Sequence, residues 1–149
     1  MLQLCGRYEL ELVRNGKVIH QAKGQNLVTT LGENYAANRF GTTGLPTAID
    51  WIALGDGTTA AAKSDTDLGG TEHNRTASTS DTTTGNSITF VFAITAGGSI
   101  TVSEAGLFNN AAAGPASGTM VARFLTQQFN MGVGDVLNVT WQLEFTGVE

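Results

Sequence analysis

Leu137-Asn138-Val139-Thr140-Trp141-Gln142-Leu143-Glu144-Phe145 alternates apolar and polar side chains without a break. Period two puts Leu137, Val139, Trp141, Leu143 and Phe145 on one face of an extended strand, whereas a helix would scatter them around its surface. This stretch is therefore a strand with one buried face. Other parts of the chain repeat the pattern. Ile88, Phe90, Phe92 and Ile94 share a face within Ser87–Ile94, and Met120, Ala122 and Phe124 recur within Thr119–Phe129. Ser99–Phe108 carries Ile100, Val102, Ala105 and Leu107. Arg75–Thr84 is polar and suits an edge.

Near the start, Tyr8-Glu9-Leu10-Glu11-Leu12-Val13 and Lys17-Val18-Ile19-His20-Gln21 flank Asn15-Gly16. Both central residues tolerate positive φ, so the spacing predicts a two-residue hairpin. Trp51-Ile52-Ala53-Leu54 reads as a short buried strand ending in Gly55-Asp56-Gly57. One segment, Thr29–Phe40, has helical spacing in Leu31, Tyr35, Ala36 and Phe40. There Thr30 and Glu33 have the offset of a capping box, and Gly41 stops the segment. Tyr35 and Phe40 are expected to plug one end of the fold. Gly41–Ile49 and Ala111–Gly118 read as loops, and Thr58–Gly70, rich in Ala, Ser, Thr and Asp, as a long mobile surface loop.

Seven to nine strands with one short helix imply an all-β, single-domain β-sandwich over residues 1–149. Uneven strands with long connections point to jelly-roll-like wiring. The 149 residues suit one domain, and a core of that size needs no metal or disulfide staple. Charged residues make up 14% of the chain, well under the usual ~25%. The net charge of −5 and the scattered 8 Lys and Arg exclude a phosphate-tracking surface, so nucleic acid is not an expected partner. No stretch approaches the ~20 apolar residues of a membrane span, and the start lacks the pattern of a secretory signal. Cys5 is the one cysteine, which rules out an internal disulfide and suggests a small buried side chain in a protein made in a reducing cytoplasm.

The chemistry-bearing residues form no recognisable site. His20 and His73 lack metal-ligand spacing and read as solvated surface. Gly55-Asp56-Gly57 and Gly132-Val133-Gly134-Asp135 resemble phosphate or calcium loops, but no helix or spaced acidic ligands follow. Turn chemistry, with Asp bonding its own backbone, accounts for both. Glu104 is a carboxylate inside an apolar strand. It is expected to accept backbone hydrogen bonds or to pair with Arg75 or Arg123 across the sheet. Asp56 and Glu104 as paired hydrolase carboxylates form a third reading, which nothing in the sequence supports by bringing them together. No catalytic, cofactor or metal residues are assigned, and no small-molecule substrate is expected.

Several segments carry a family resemblance in order. They are Gly24-Gln25-Asn26-Leu27-Val28-Thr29, Trp51–Thr59, Ser103-Glu104-Ala105-Gly106-Leu107-Phe108-Asn109, Gly118–Arg123 and Gly134–Trp141. Over nearly the whole chain this resembles small virion structural proteins of tailed bacteriophages, most of all the cement (capsid decoration) proteins of short-tailed phages, which have jelly-roll-like folds. The resemblance implies a non-enzymatic protein, made in the host cytoplasm, that binds the outside of the major capsid protein lattice and stabilises the head. Tail or fibre components are the alternative, as adaptor or receptor-binding module. A homo-oligomer, dimer or trimer, is expected, because weak contacts gain from multivalency. The apolar arm Met1, Leu2, Gln3, Leu4 and Cys5, within residues 1–6, is the candidate protein interface, either adding a strand to a neighbour or completing the chain's own sheet.

Overall fold

The computed structural model describes residues 2–41, 46–112 and 118–147. Among the described residues, nine strands and one helix follow one another: β1 (Leu2–Arg14), β2 (Lys17–Val28), α1 (Thr30–Arg39), β3 (Trp51–Gly55), β4 (Glu72–Ala77), β5 (Ser80–Thr84), β6 (Ser87–Thr95), β7 (Ile100–Phe108), β8 (Met120–Met131) and β9 (Val136–Gly147). They form a single antiparallel sheet in the order β4-β3-β7-β8-β2-β1-β9-β6-β5. The all-β reading holds, with one sheet curled over its own core.

Two places turn the sheet over on itself. β2 pairs with β1 from Arg14↔Lys17 to Gly6↔Asn26, then with β8 through Leu27↔Arg123 and Val28↔Ala122. One strand thereby serves both halves. At the far edges, the Ser78 N–H donates to Asp50 O (2.7 Å) and the Thr79 N–H to Val91 O (2.7 Å). The single polar edge strand expected over 75–84 is thus two strands, β4 and β5, at opposite ends of the strand order. Two consecutive residues between them each bond a different half.

The interior face of β9 is as the alternation demands: Leu137, Val139, Trp141 and Leu143 are each at most 2% exposed. Trp141 leans on Phe124, whose ring stacks on Tyr8, and its Nε1–H donates to Asn26 Oδ1 at 2.9 Å. Phe90, Phe92 and Ile94 face them from β6, and Leu107, Ile52 and Val121 from the other half. Burying each such side chain contributes about 1.5–3 kcal/mol, so β9, paired to β1 and β6, organises the core.

The first hairpin turns at Asn15 (φ 51°) and Gly16 (φ 75°), the positive values its sequence anticipates. Beyond the turn the register slips: Leu12 faces His20 while Val13 faces Val18, so Ile19 is a bulged residue without a cross-strand partner. His20 does not lie free in solvent. It is half-buried, with its ring 4.8 Å from that of Phe129. Cys5 is also half-buried and not a core residue, with Sγ 3.6 Å from Glu144 O.

α1 is capped one residue earlier than the capping-box offset suggested. Thr29 is fully buried, and its Oγ1 accepts from the Gly32 N–H (3.0 Å) while donating to Met120 O (2.7 Å). Glu33 pairs instead with Lys63. Tyr35 plugs the end of the fold as expected, its hydroxyl donating to Thr47 O at 2.7 Å. Phe40 does not, because it is 71% exposed.

Candidate functional site

Two features stand out from the scaffold: a buried carboxylate that fastens a loop, and an apolar groove at the α1 end. The first begins with a bulge in β7. The register shifts between Val102 and Glu104, so the core face passes from Val102 to Ala105 and Leu107. That shift turns Glu104, Gly106 and Phe108 to the outer face, where Phe108 joins Ala53, Met120 and Leu68 in a small second cluster.

Glu104 is fully buried and accepts four hydrogen bonds. Its Oε1 takes the N–H groups of Gly57 (2.9 Å) and Gly70 (2.8 Å), and its Oε2 the N–H of Gly69 (2.9 Å) and Nε–H of Arg123 (2.7 Å). Arg123, itself 1% exposed, also donates to Asp65 Oδ2 (2.7 Å) and Thr59 O (2.9 Å). Burial disfavours the charge on Arg123, but its bonds to Asp65 and Glu104 more than offset this and hold its pKa above the ordinary value. Two glycines make the close approach possible, since a Cβ on Gly57 would collide with Glu104 Oε1 and one on Gly70 with the Gly57 backbone.

The Thr58–Gly70 segment lies at the surface as expected, yet it is tied at Thr59, Asp65, Gly69 and Gly70 where a mobile loop was anticipated. Of the two arginines considered for Glu104, Arg123 takes the role. Arg75 pairs with Glu72 and lies 3.9 Å over the Phe108 ring.

Asp56 sits beside this network without joining it. Its carboxylate accepts the Thr71 N–H (2.7 Å), not a bond from its own turn alone, and lies 3.0 Å from His73 Nε2. The Thr71 N–H chiefly, and His73 after it, hold its pKa below the usual carboxylate range. Glu104 has its acceptor positions filled by protein donors, so a hydrolytic pair with Asp56 would lack a carboxyl free to give or take a proton. In the second glycine-rich turn, Asp135 accepts from Arg14 (2.7 Å) and the Gly132 N–H (2.7 Å), which fastens the hairpin to the β8–β9 turn. Among the described residues no group of three His, Cys, Asp or Glu is placed to hold a metal ion.

The groove has a volume of about 370 Å³. Leu4, Ile88 and Phe145 continue the inner face of the sheet past the core, and α1 covers them with Tyr35, Ala36 and Phe40. Phe40 meets Phe145 edge-on at 6.0 Å between ring centroids. Asp81 and Arg39 complete the lining. Arg39 donates to Pro46 O, whereas Asp81 has no ion pair among the described residues. Asp50 lies close by with a buried, unpartnered Oδ1; burial, then the Asp81 charge, pushes its pKa up.

Of the candidate interface residues, Leu4 lines this groove. Leu2, Gln3 and Leu4 pair with Gly147, Thr146 and Phe145 of β9, so they complete the chain's own sheet. Met1 lies outside the described residues, as do 42–45 of the first expected loop and 113–117 of the second. Pairing of β1 with β2 begins only at Gly6, which leaves residues 2–5 bonded to a strand on one side. Leu4 lines the groove, and Leu2 is 61% exposed two residues before it on β1. Phe145, Ile88 and Phe40 were legible as apolar residues but not as a surface, because the groove exists only where helix and sheet end meet. No protein-family model matches the chain, and neither the curated proteins nor the solved structures give a match.

Proposed function

We propose that this chain is a non-enzymatic structural protein of a tailed-phage virion, a cement protein that binds the outside of the capsid lattice and stabilises the head. The observation that carries the reading is the apolar groove lined by Leu4, Ile88 and Phe145, with Phe40 of its lining 71% exposed. A protein that works alone gains nothing from leaving large apolar side chains exposed together, whereas a docking partner covers them. The buried Glu104–Arg123 network supports the same reading, because it spends charged groups on rigidity in a body that must be formed before it docks. Two sheet halves sharing β2 are compatible with jelly-roll-like packing, which belongs to this proposal. So do the major capsid protein as partner, a homo-oligomeric state and a place on the virion surface.

The experiment is the copy number of this chain in purified virions, measured by quantitative mass spectrometry against the major capsid protein. A number comparable to the shell protein supports the cement role. A number near that of tail components assigns the protein to the tail, as adaptor or fibre part, and sinks the cement reading.

A further inference from the structure

We infer that the groove takes the bulged tip of the first hairpin, Lys17-Val18-Ile19, from a second copy of this chain, so that copies join head to tail. This rests on reading the groove as a docking site and names its occupant. The groove is apolar with a wall that carries more acid than base: Asp81 and Arg39 line it, Arg39 is turned to Pro46 O, Asp50 stands beside it, and neither carboxylate has an ion pair among the described residues. It therefore suits an apolar segment flanked by one cation.

The chain carries such a segment. The bulge leaves Ile19 without a cross-strand partner, and Val18 and Ile19 are each 48% exposed. Lys17 beside them is exposed. Cations are scarce, at 8 Lys and Arg. Arg14, Lys63, Arg75 and Arg123 are in ion pairs within the chain. Arg7, Lys17, Lys23 and Arg39 have none among the described residues; Lys23 faces Glu9 across the hairpin, and Arg39 lines the groove itself and donates to Pro46 O. Of those outside the groove, Lys17 adjoins the exposed apolar side chains Val18 and Ile19.

Tip and groove lie at opposite ends of β1, where the ten steps from Leu4 to Arg14 span roughly 33 Å. A chain cannot fill its own groove in this way. Different patches meeting head to tail make a heterologous contact, which closes as a ring or runs on as a filament.

The test is sedimentation velocity of the full chain over roughly 1–500 µM. Wild type should self-associate with rising concentration. Ile19→Asp and Phe40→Lys, both at exposed positions, should each raise the dissociation constant more than about tenfold with circular dichroism unchanged. Lys17→Glu and Asp81→Lys should each weaken association about threefold, and mixing these two variants should restore it, since each tip then meets a groove of opposite charge. Mixing Ile19→Asp with Phe40→Lys should give a dimer and nothing larger, because one intact tip and one intact groove remain. A monomer throughout the range overturns the inference, as does association unaffected by both Ile19→Asp and Phe40→Lys, or no recovery on mixing the charge variants. If Phe40→Lys removes the chain from virions yet leaves self-association intact, docking stands and the second-copy assignment falls.

Discussion

At the scale of residues, Glu104 holds the backbone of Gly57, Gly69 and Gly70 and the side chain of Arg123 together. Each of its oxygens receives two donors, so Glu104→Gln would set an amide NH₂ against N–H groups that need an acceptor. It would also leave Arg123 buried without its full countercharge. The expected loss is about 3–5 kcal/mol, read as a shift in the urea midpoint and a melting point lower by roughly 6–20 °C. Amide exchange at Gly69 and Gly70 should rise with it, since Glu104 is what holds them. Part of this was legible: a lone carboxylate in an apolar strand asks for an arginine and backbone donors, and Arg123 was one of two candidates. The donors' identity was not, because backbone N–H groups of Gly57, Gly69 and Gly70 leave no trace in side-chain pattern.

Asp135 gives a prediction in pH. The Arg14 hydrogen bonds foremost, with the Gly132 N–H, depress its pKa to about 2. The unfolded value is near 3.9, so the folded state favours the ionised form, and the stability this supplies is present above about pH 4 and lost as pH falls toward 2. Asp135→Asn should flatten that part of the curve. Urea midpoints measured at steps between pH 5 and pH 2 would show a smaller decline in the variant than in wild type.

At the scale of elements, α1 depends on its first residue. Thr29→Ala removes the acceptor for the Gly32 N–H and the donor to Met120 O, with an expected cost of about 1–2 kcal/mol, whereas Thr29→Ser should cost far less. Exchange protection of the first-turn amides reads the difference. The sequence showed a helix here but put the cap at Thr30, since Thr30 and Glu33 have the familiar spacing. What chose Thr29 is tertiary: its hydroxyl and its N–H both bond β8. The strands fared better wherever one face is buried, as in β6 and β9, because period two then survives. β7 shows the converse. The break in period between Val102 and Ala105 is the bulge, and it is visible as an irregularity that only the paired strand β8 explains. The division of 75–84 into two strands was beyond reach, because exposed polar residues carry no phase to mark where one strand ends.

At the scale of the whole molecule, a single core runs through both halves of the sheet, so unfolding should be one cooperative transition. Trp141→Ala, at 0% exposure in the middle of β9, should cost about 3–5 kcal/mol and move that transition as a unit. A calorimetric trace that splits into two peaks, in wild type or variant, would contradict the single core. The groove belongs to this scale too. Its apolar residues come from β1, α1 and the residue after it, the segment before β3, β6, β8 and β9, so no local window of sequence contains it.

The position of β9 between β1 and β6 also fixes when this protein can fold during its synthesis. Residue 2 lies beside residue 147, and β1 has its longest pairing with β9, which is made more than a hundred residues later. While a ribosome is still translating β9, the hairpin and β6 have no strand between them, and their apolar faces stay uncovered. Closing the sheet between the hairpin and β6 therefore waits for residue 147 to clear the exit tunnel.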